Sequence, residues 1–391
     1  MKKKIAILGS TGSIGQNLLK IVNRDKEQYE IVLLTANKNY LELLKQAKKF
    51  KVKNIIIKDN ESFKKIKKKN YIKHINIYKD FESYKKIFKK KIHYVMSSIS
   101  GTEGLIPTIK IIKHTKKIAI ANKESIICAW NIIDRELKKY KTSFVPVDSE
   151  HFSLWYALGN TANSKVEKIY LTASGGPLLN IKKLNLKNIK LSQALKHPNW
   201  SMGKKISIDS CTMMNKVFEV IEAKHIFNLS YNKISILTHP SSYVHAIVKF
   251  KNGIIKIIAH DTTMTIPIYN TINSNENSVI KTENLNLERL NKLELKKVNL
   301  KQFPLVKILR KLPQKISLFE TVLVSINDHL VNLYLNKKIN YNQLHVLLVQ
   351  FINNKVFEKY KKIKPNKIQD IISVKNKVNS FIIKSINKNN I

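Results

Sequence analysis

The sequence predicts an α/β protein, and three observations lead to this fold class. Short apolar segments alternate with lysine-studded helical patterns up to about residue 148, as in a doubly wound parallel sheet. Strands then cluster without long helices between them, which favours an antiparallel sheet in a central α+β domain. From about Leu300 the apolar residues recur at helical spacing, which predicts a C-terminal helical bundle.

The first predicted strand, residues 4–8, ends in a glycine-rich turn that leads into a helical pattern. The turn reads Gly9-Ser-Thr-Gly-Ser-Ile-Gly15. Strand, glycine turn and helix in this order are the context that a dinucleotide fingerprint requires, with the pyrophosphate at the helix N-terminus. We therefore predict a Rossmann-like domain at the N-terminus.

The second predicted strand, residues 31–34, indicates which nicotinamide cofactor binds. It leads into Lys38 and Asn39, where a cation and an amide group suit the 2′-phosphate of NADPH, whereas NAD requires an acidic residue. In a chain so rich in lysine, an ordinary surface position for Lys38 is the alternative.

Polar segments follow three further strands of the predicted parallel sheet. The strands are expected at 54–57, 74–77, 93–96, 117–121 and 144–147, and the polar segments are 98–104, 122–125 and 148–151. The carboxyl ends of parallel strands carry the sites of such sheets, so we expect these segments to contribute to one site.

Two carboxylates in the last of these segments suggest a metal site. Asp148 and Glu150 stand two residues apart in a segment predicted to be extended, so their side chains should point the same way. Paired carboxylates suit a hard divalent cation, Mg²⁺ or Mn²⁺. The alternative is a pair of capping or surface acids. His151 is a softer candidate ligand that is better explained by packing.

In the central domain, a strand at 168–172 leads into a tight turn around Ser174, which presents its hydroxyl and bare amides to an anion. Further strands are expected at 235–237, 243–250 and 253–259, the last two as a hairpin through Lys251-Asn-Gly253. Residues 271–288 are polar and weakly periodic, which is typical of a linker.

The segment 197–222 is where the sequence best supports chemistry. We predict a turn-rich start, a short strand at 206–208 and then a helix with one apolar face. The other face carries Thr212, Asn215, Lys216, Glu219 and Glu222. An ordinary helix with a solvated charged face remains the alternative to a site.

The predicted domain boundaries are 1–148 for the Rossmann-like domain, 149–275 for the α+β domain, 276–300 for a linker and 301–391 for the helical bundle. A chain of 391 residues is long enough for this division.

Composition argues against several other classes of protein. The net charge of +44 would suit nucleic acid, but lysine is spread over every segment, as in a compositionally biased bacterial coding sequence, so no nucleic-acid partner is expected. The two cysteines, Cys128 and Cys211, suit a reducing compartment. No apolar run has membrane-spanning length, and the basic N-terminus leads directly into a strand, so we expect a cytoplasmic protein without a membrane partner.

Several motifs together resemble the 1-deoxy-D-xylulose 5-phosphate reductoisomerase family, in the family's order and at compatible spacing up to about His245. They are Gly9-Ser-Thr-Gly-Ser-Ile-Gly15, Ala121-Asn-Lys-Glu-Ser125, Pro146-Val-Asp-Ser-Glu-His151, Ser174-Gly-Gly-Pro177, His197-Pro-Asn-Trp-Ser-Met-Gly203, Asp209-Ser210 and Met213-Met-Asn-Lys216.

The resemblance implies an NADP-dependent oxidoreductase that also isomerises, converting 1-deoxy-D-xylulose 5-phosphate to 2-C-methyl-D-erythritol 4-phosphate in the non-mevalonate isoprenoid pathway. It implies NADPH and Mn²⁺ or Mg²⁺ as cofactors, a sugar phosphate as the small-molecule partner, and a homodimer formed through the central catalytic domain. Two alternatives stay open: an NADPH-dependent dehydrogenase of another phosphorylated hydroxy compound, and a basic nucleic-acid-binding protein.

The resemblance also assigns residues to roles. The implied cofactor contacts are Thr11, Gly12, Ser13, Ile14, Asn37, Lys38, Asn39, Asn122, Glu124 and Gly203. The implied metal ligands are Asp148, Glu150 and Glu219, and the implied catalytic residues are Lys123 and Glu150. The implied substrate contacts are Lys123, Ser149, Glu150, Ser174, His197, Trp200, Ser210, Asn215, Lys216 and Glu219, with Trp200 as a lid. Glu222 is expected to lie behind the metal ligands.

Three segments depart from the family pattern. Asn37 stands where a glycine is usual, residues 260–265 lack the usual turn and arginine, and residues 324–328 replace an alanine-rich segment. These departures leave the implied metal and phosphate residues in place and bear on packing and turnover.

Overall fold

The computed structural model describes residues 2–68, 74–181, 189–200, 202–273 and 279–388, and the chain divides into two compact units. Unit 1 comprises Met1–Ser125, Ile132–Phe152 and Met264–Lys281. Unit 2 comprises Ile126–Asn131, Ser153–Thr263 and Thr282–Ile391.

Unit 1 is built on a seven-stranded sheet in which every pair of neighbours is parallel. The strands are β1 (Lys3–Leu8), β2 (Tyr29–Ala36), β3 (Asn54–Ile57), β4 (Asn76–Tyr78), β5 (Ile92–Ser97), β6 (Thr115–Ile120) and β7 (Ser143–Pro146), in the order β4-β3-β2-β1-β5-β6-β7. Ile5, Ile7 and Leu8 of the central strand β1 are 0% exposed, as expected for a strand covered on both faces. The predicted doubly wound parallel sheet is confirmed.

Helices follow the strands of this sheet. They are α1 (Ser13–Arg24), α2 (Tyr40–Lys49), α3 (Asn60–Lys67), α4 (Tyr84–Ile87), α5 (Leu105–Ile111), α6 (Lys123–Lys139) and α7 (Ser149–Leu158), of which α6 and α7 have residues in both units. In α1, Leu18, Leu19, Ile21 and Val22 form the buried stripe.

Unit 2 contains a five-stranded mixed sheet. Its strands are β8 (Val166–Ala173), β9 (Ile234–Thr238), β10 (Val244–Phe250), β11 (Ile255–Ala259) and β12 (Lys296–Lys297), in the order β11-β10-β8-β9-β12. The predicted hairpin is confirmed, with Gly253 in the left-handed region at φ +87°.

The helices of unit 2 flank its sheet or follow it in the chain. They are α8 (Leu191–Leu195), α9 (Lys204–Cys211), α10 (Met214–Ile226), α12 (Leu287–Asn291), α13 (Phe319–Leu335), α14 (Tyr341–Ile352) and α15 (Ile368–Lys388), whereas α11 (Thr265–Ile272) belongs to unit 1. The longer 3-10 segments are Pro304–Lys311 and Lys355–Lys362, and the short ones are Phe81–Ser83, Thr102–Gly104, Ile112–His114, Asn163–Lys165, Gly176–Leu178 and Tyr231–Lys233. The helices α13, α14 and α15 confirm the predicted C-terminal helical region.

The antiparallel sheet predicted for the central domain is wrong in one respect. β8 pairs with β9 in parallel, while β10 runs antiparallel to β8. The helices α9 and α10 lie between β8 and β9 in the chain, and they supply the crossover that parallel pairing requires.

The predicted strand at 206–208 is also wrong, because these residues lie inside the helix α9. Gly203 caps that helix, and Ser207, Ile208 and Cys211 are buried at helical spacing. The alternating isoleucines at 206 and 208 suggest a strand, but in the folded chain the buried side chains recur at the spacing of a helix.

Both ends of the predicted linker 271–288 are helical, because Thr271 and Ile272 lie in α11 and Leu287 and Glu288 lie in α12. Thr271 lies in α11, where its hydroxyl pairs with Tyr94 Oη at 2.8 Å, and Tyr29 Oη donates to Asn273. Met264–Lys281 belongs to unit 1. Residues 274–278 lie outside the described residues, and the four-part division at 148, 275 and 300 stays a prediction.

Among the residues that the structure describes, none of the helices has both the length and the apolarity needed to cross a bilayer.

The close contact at Gly15 generates a stability prediction. A Cβ at Gly15 would lie 2.6 Å from Gly9 O and from Ser10 Cα, both backbone atoms, whereas a Cβ at Gly12 would lie 3.4 Å from Gly9 O. We expect Gly15→Ala to lower the free energy of unfolding by about 1–3 kcal/mol through overpacking, measured by urea unfolding. Gly12→Ala is the matched control and should lower the free energy of unfolding by about 1 kcal/mol or less. Equal effects of the two substitutions would contradict the packing argument.

Candidate active site

In unit 1, the glycine turn after β1 leaves the start of α1 open to an anion. Gly9 has φ +84°, and a Cβ there would lie 2.8 Å from Ser98 O, so the turn requires glycine. Gly12 caps α1, and no acidic residue lies in its first turn. The N-terminus of this helix therefore offers free amides and a favourable dipole to a phosphate.

The residues predicted to contact the cofactor here are accessible. Gly12 and Ser13 are exposed, and Thr11 and Ile14 are partly exposed. Asn37, Lys38 and Asn39 follow β2 and are exposed as well. The Asn39 side chain caps α2 by accepting from Glu42 N at 3.3 Å, so its amide oxygen already has a structural task.

Asn122 is almost fully occupied by internal hydrogen bonds. Its Oδ1 accepts from Ser125 N at 2.6 Å, which caps α6, and its Nδ2 donates to Ile99 O at 2.6 Å and to Gly101 O at 2.9 Å. The same Nδ2 lies 3.2 Å from Glu124 Oε2. Asn122 is therefore the residue that ties together two loops at the carboxyl ends of β5 and β6.

The next residue, Lys123, forms an ion pair with Asp148 after β7. Asp148 Oδ1 also lies 3.1 Å from His151 Nδ1, and the two side chains of the Lys123–Asp148 pair are only 12% and 18% exposed. Burial alone would raise the pKa of Asp148, but the charges of Lys123 and His151 outweigh it and hold this pKa well below its usual range. Asp148 is therefore ionised at neutral pH.

The extended geometry predicted for Asp148 and Glu150 is wrong. Asp148 O accepts from Phe152 N at 2.7 Å and its Oδ1 accepts from Glu150 N at 3.2 Å, so Asp148 starts the helix α7 and Glu150 lies in its first turn. Ser149 Oγ donates to Glu150 Oε2 at 2.7 Å. Helix capping by Asp148, which the extended prediction did not include, sets the direction of these carboxylates.

In unit 2, the turn after β8 presents Ser174 beside two left-handed glycines. Ser174 Oγ accepts from Gly176 N at 3.0 Å and lies 3.0 Å from His197 Nε2. A Cβ at Gly176 would lie 3.0 Å from Ser210 O, so the turn packs tightly on α9. Ser174, His197 and Ser210, which were predicted to contact the substrate, thus belong to one local cluster.

The hydrogen bonds of His197 define its tautomer. Its Nδ1 accepts from the backbone N–H groups of Asn199 and Trp200, both at 3.1 Å. Burial, with a smaller contribution from the charge of Lys216, lowers the pKa of His197 to about 4. The neutral ring must then carry its hydrogen on Nε2 and donate it to Ser174 Oγ. Gly176 N also donates to this oxygen, and no other residue in the described part of the chain accepts the Ser174 hydroxyl hydrogen, which can therefore be donated to an external acceptor.

The polar face of α10 is buried rather than solvated. Lys216 and Glu219 form an ion pair and are 4% and 1% exposed, and Asn215 Nδ2 donates to Glu219 Oε1 at 2.5 Å. Glu222 is 1% exposed. The alternative of an ordinary solvated face is therefore excluded.

Trp200, predicted as a lid residue, is half-buried and meets His245 edge to face at 6.3 Å between ring centroids. His245 in turn stacks on His260 at 3.8 Å. His260, in the divergent segment 260–265, thus packs against His245, the residue that contacts Trp200. Gly203, predicted as a cofactor contact, is exposed at the start of α9.

Family models and known proteins match this chain along nearly its whole length. A model described as 1-deoxy-D-xylulose 5-phosphate reductoisomerase matches residues 5–130, and two models of C-terminal domains of that enzyme match residues 144–227 and 261–381. The 1-deoxy-D-xylulose 5-phosphate reductoisomerase of Pelagibacter ubique is 54% identical over 94% of this chain and 96% of its own length. The chain belongs to the 1-deoxy-D-xylulose 5-phosphate reductoisomerase family.

This chain is also similar to other members of the reductoisomerase family, in sequence and in structure. That of Persephonella marina is 38% identical over 99% of this chain and 96% of its own length. The structure of the Zymomonas mobilis reductoisomerase in complex with NADPH has a TM-score of 0.85 at 27% identity and covers 97% of both chains. A reductoisomerase complex with NADPH, fosmidomycin and magnesium has a TM-score of 0.90 at 29% identity and covers 98% of both chains.

The titration of His197 is open to test. We expect Lys216→Met to raise the pKa of His197 from about 4 towards its ordinary value of 6.5, because a neighbouring positive charge is removed while the burial remains. NMR of labelled histidine rings measures the shift. Lys216→Met alone leaves the buried Glu219 carboxylate without its partner. The double variant Lys216→Met with Glu219→Gln removes both charges of the pair and is used if the single variant does not fold.

Lys204→Met, at an exposed position on α9, is the charge-matched control and should leave the pKa of His197 in place. The same shift in both variants would show that the net charge of the protein acts on His197, and not Lys216 in particular.

Proposed function

We propose that this chain converts 1-deoxy-D-xylulose 5-phosphate and NADPH into 2-C-methyl-D-erythritol 4-phosphate with the help of Mg²⁺ or Mn²⁺, within isoprenoid biosynthesis. The observation that carries the proposal is the 54% identity to a reductoisomerase over 94% of the chain. The cluster of Ser174, His197, Lys216 and their neighbours supports it, because a lysine ammonium and a serine hydroxyl are groups that can bind a phosphate.

The residues of unit 1 fit a dinucleotide phosphate. The Gly9 turn, the open start of α1 and the exposed Lys38 offer backbone amides and a cation, and no acid in the first turn of α1 opposes an anion. We assign Thr11, Gly12, Ser13 and Ile14 to the pyrophosphate and Asn37, Lys38 and Asn39 to the 2′-phosphate. For Asn39, the capping bond means that its side-chain NH₂ is the group left to donate.

Asn122, Glu124 and Gly203 are the remaining residues proposed for NADPH. Because the Asn122 side chain is engaged with residues 99–101 and with Ser125, its contact would involve the backbone or would depend on the loops that it holds. When bound, NADPH supplies the hydride that reduces the aldehyde formed by rearrangement.

The donor set proposed for the metal consists of three carboxylates, Asp148, Glu150 and Glu219. Oxygen-only donors of this kind fit Mg²⁺ or Mn²⁺, and Asp148 is already held in the charged form that a ligand requires. When bound, the metal acts as a Lewis acid on the substrate oxygens. Glu222 stays a candidate for a residue behind this donor set.

The side chains of this chain contribute binding, orientation and proton movement. We propose that Ser174, His197, Ser210, Asn215 and Lys216 hold the phosphate, so that the rest of the substrate is presented in one orientation. Lys123 and Glu150 then hold or move protons on the hydroxyl groups at the reacting end, with Ser149 orienting Glu150 through its 2.7 Å bond. Trp200, packed on His245, covers the bound substrate and excludes water.

A coupled assay tests the proposal. With 1-deoxy-D-xylulose 5-phosphate and Mg²⁺ or Mn²⁺ present, the protein should oxidise NADPH, and a chelator should stop the reaction. Product analysis must give a branched carbon skeleton, since a dehydrogenase of another phosphorylated compound would leave the skeleton unbranched. A folded protein that fails to oxidise NADPH under these conditions would refute the proposal.

Glu219→Gln tests the metal assignment. We expect kcat/KM for the metal-dependent reaction to fall by more than about 100-fold, because one anionic ligand is lost, while the Kd for NADPH changes little. Glu167→Gln, at an exposed acid on β8, is the matched control and should behave as the wild type. Full activity of Glu219→Gln would contradict the assignment.

We also propose that the protein is a cytoplasmic homodimer whose two subunits contact each other through the central domain. We propose that it binds neither nucleic acid nor membrane. The family resemblance supports the dimer. Light scattering after size exclusion should give twice the mass of the 45.2 kDa chain, and a monomer at all concentrations would disprove it.

A further inference from the structure

The last turn of α9 holds Ser210 between two neighbours that are fully engaged. Asp209 and Cys211 are 3% and 0% exposed, whereas Ser210 itself is half-buried. The position of the Ser210 hydroxyl therefore depends on what holds Asp209 and Cys211.

Asp209 is held by the helix α13 of the C-terminal region. Asn327, which is 0% exposed, donates from Nδ2 to Asp209 Oδ1 at 2.7 Å. Lys205 lies 3.4 Å from Asp209 Oδ2 and 2.9 Å from Asp328 Oδ1, so it links the carboxylates of α9 and α13. A buried carboxylate with these donors is fixed in place, because releasing it would leave a charge unpaired.

Cys211 is held by the helix α14. Tyr341 Oη donates to Cys211 O at 3.3 Å and lies 3.7 Å from Cys211 Sγ. Both peptide neighbours of Ser210 are thus attached to the C-terminal helices. The turn of β8 closes the other side, where a Cβ at Gly176 would lie only 3.0 Å from Ser210 O.

We propose that Asp209 and Asn327 are positioning residues for the substrate phosphate, acting through Ser210. This inference rests on the proposed function for the identity of the substrate. If the Asp209–Asn327 bond is lost, the last turn of α9 moves relative to Ser174, and the hydroxyls of Ser174 and Ser210 no longer match a phosphate. The divergent segment 324–328 thereby takes a defined role, since it provides both Asn327 and Asp328.

A swap of the two side chains tests the proposal. Asn327→Asp places two carboxylates against each other, and we expect the KM for 1-deoxy-D-xylulose 5-phosphate to rise about tenfold or more. The double variant Asp209→Asn with Asn327→Asp restores the hydrogen bond in the opposite direction. Its KM should return to within about threefold of the wild type. Asp209→Asn alone keeps an acceptor but loses the charge, and its KM should rise by about threefold or more.

The KM for NADPH should stay constant in all these variants, and kcat should change less than the KM for the sugar phosphate. A general loss of folding would lower all parameters together. Asn332→Asp, the same change at an exposed position on α13, is the matched control and should behave as the wild type.

An unchanged substrate KM in folded Asn327→Asp, or a double variant no better than Asn327→Asp, would overturn the proposal. If Asn327→Asp does not fold, Asp209→Asn becomes the test. An unchanged KM for the sugar phosphate in folded Asp209→Asn would also overturn the proposal.

Binding of inorganic phosphate separates this proposal from the proposed function. Phosphate should raise the Tm of the wild type and of Asn332→Asp, and the rise should shrink in Asp209→Asn even if no variant turns over the sugar phosphate. Absence of turnover in the wild type would refute the proposed function alone. An equal phosphate-induced rise in Asp209→Asn would refute the positioning role alone.

Discussion

The buried ammonium of Lys216 is the constraint on which the arrangement of Ser174, His197 and Asn215, the residues proposed to hold the phosphate with it, depends. An ammonium that is 4% exposed must have a partner, because an isolated buried charge costs several kcal/mol. Glu219, one turn along α10, provides the opposite charge, and Asn215 donates a hydrogen bond to the same carboxylate. The positive charge also contributes to keeping His197 neutral. A neutral His197 whose Nδ1 accepts from the backbone has to donate from Nε2, and this donation orients Ser174.

A second constraint organises unit 1, where loops must meet at the carboxyl ends of parallel strands. Each loop needs partners for its backbone groups, since these would otherwise be buried without hydrogen bonds. Asn122 meets this need for residues 99–101 and for the start of α6 at the same time. Asp148 does the same for the start of α7, and Lys123 neutralises it. The charged groups at this edge of the sheet are thus both capping groups and candidates for chemistry.

The net charge of +44 has little bearing on these local arrangements. Ion pairs between lysines and acids on the surface, such as Lys249 with Glu167, contribute little to stability, and most lysines among the described residues are exposed or partly exposed. Its general effect is to attract anions, which suits a phosphorylated substrate and cofactor but does not select them. Specificity for the substrate and the cofactor is instead expected from the few buried polar groups whose orientations are fixed by hydrogen bonds.

The sequence by itself determined the parallel sheet, the glycine turn after β1, the turn at Ser174 and the helical C-terminal region, because periodicity and glycine placement act over a few residues. The order of the motifs also gave the family. Only the tertiary structure decided that residues 206–208 are helical, that Asp148 starts a helix, and that Lys216 and Glu219 are buried. It alone joined Asp209 to Asn327 across 118 residues of chain. Partners so far apart are chosen by packing and by the need to satisfy buried polar groups, and neither is encoded in local spacing.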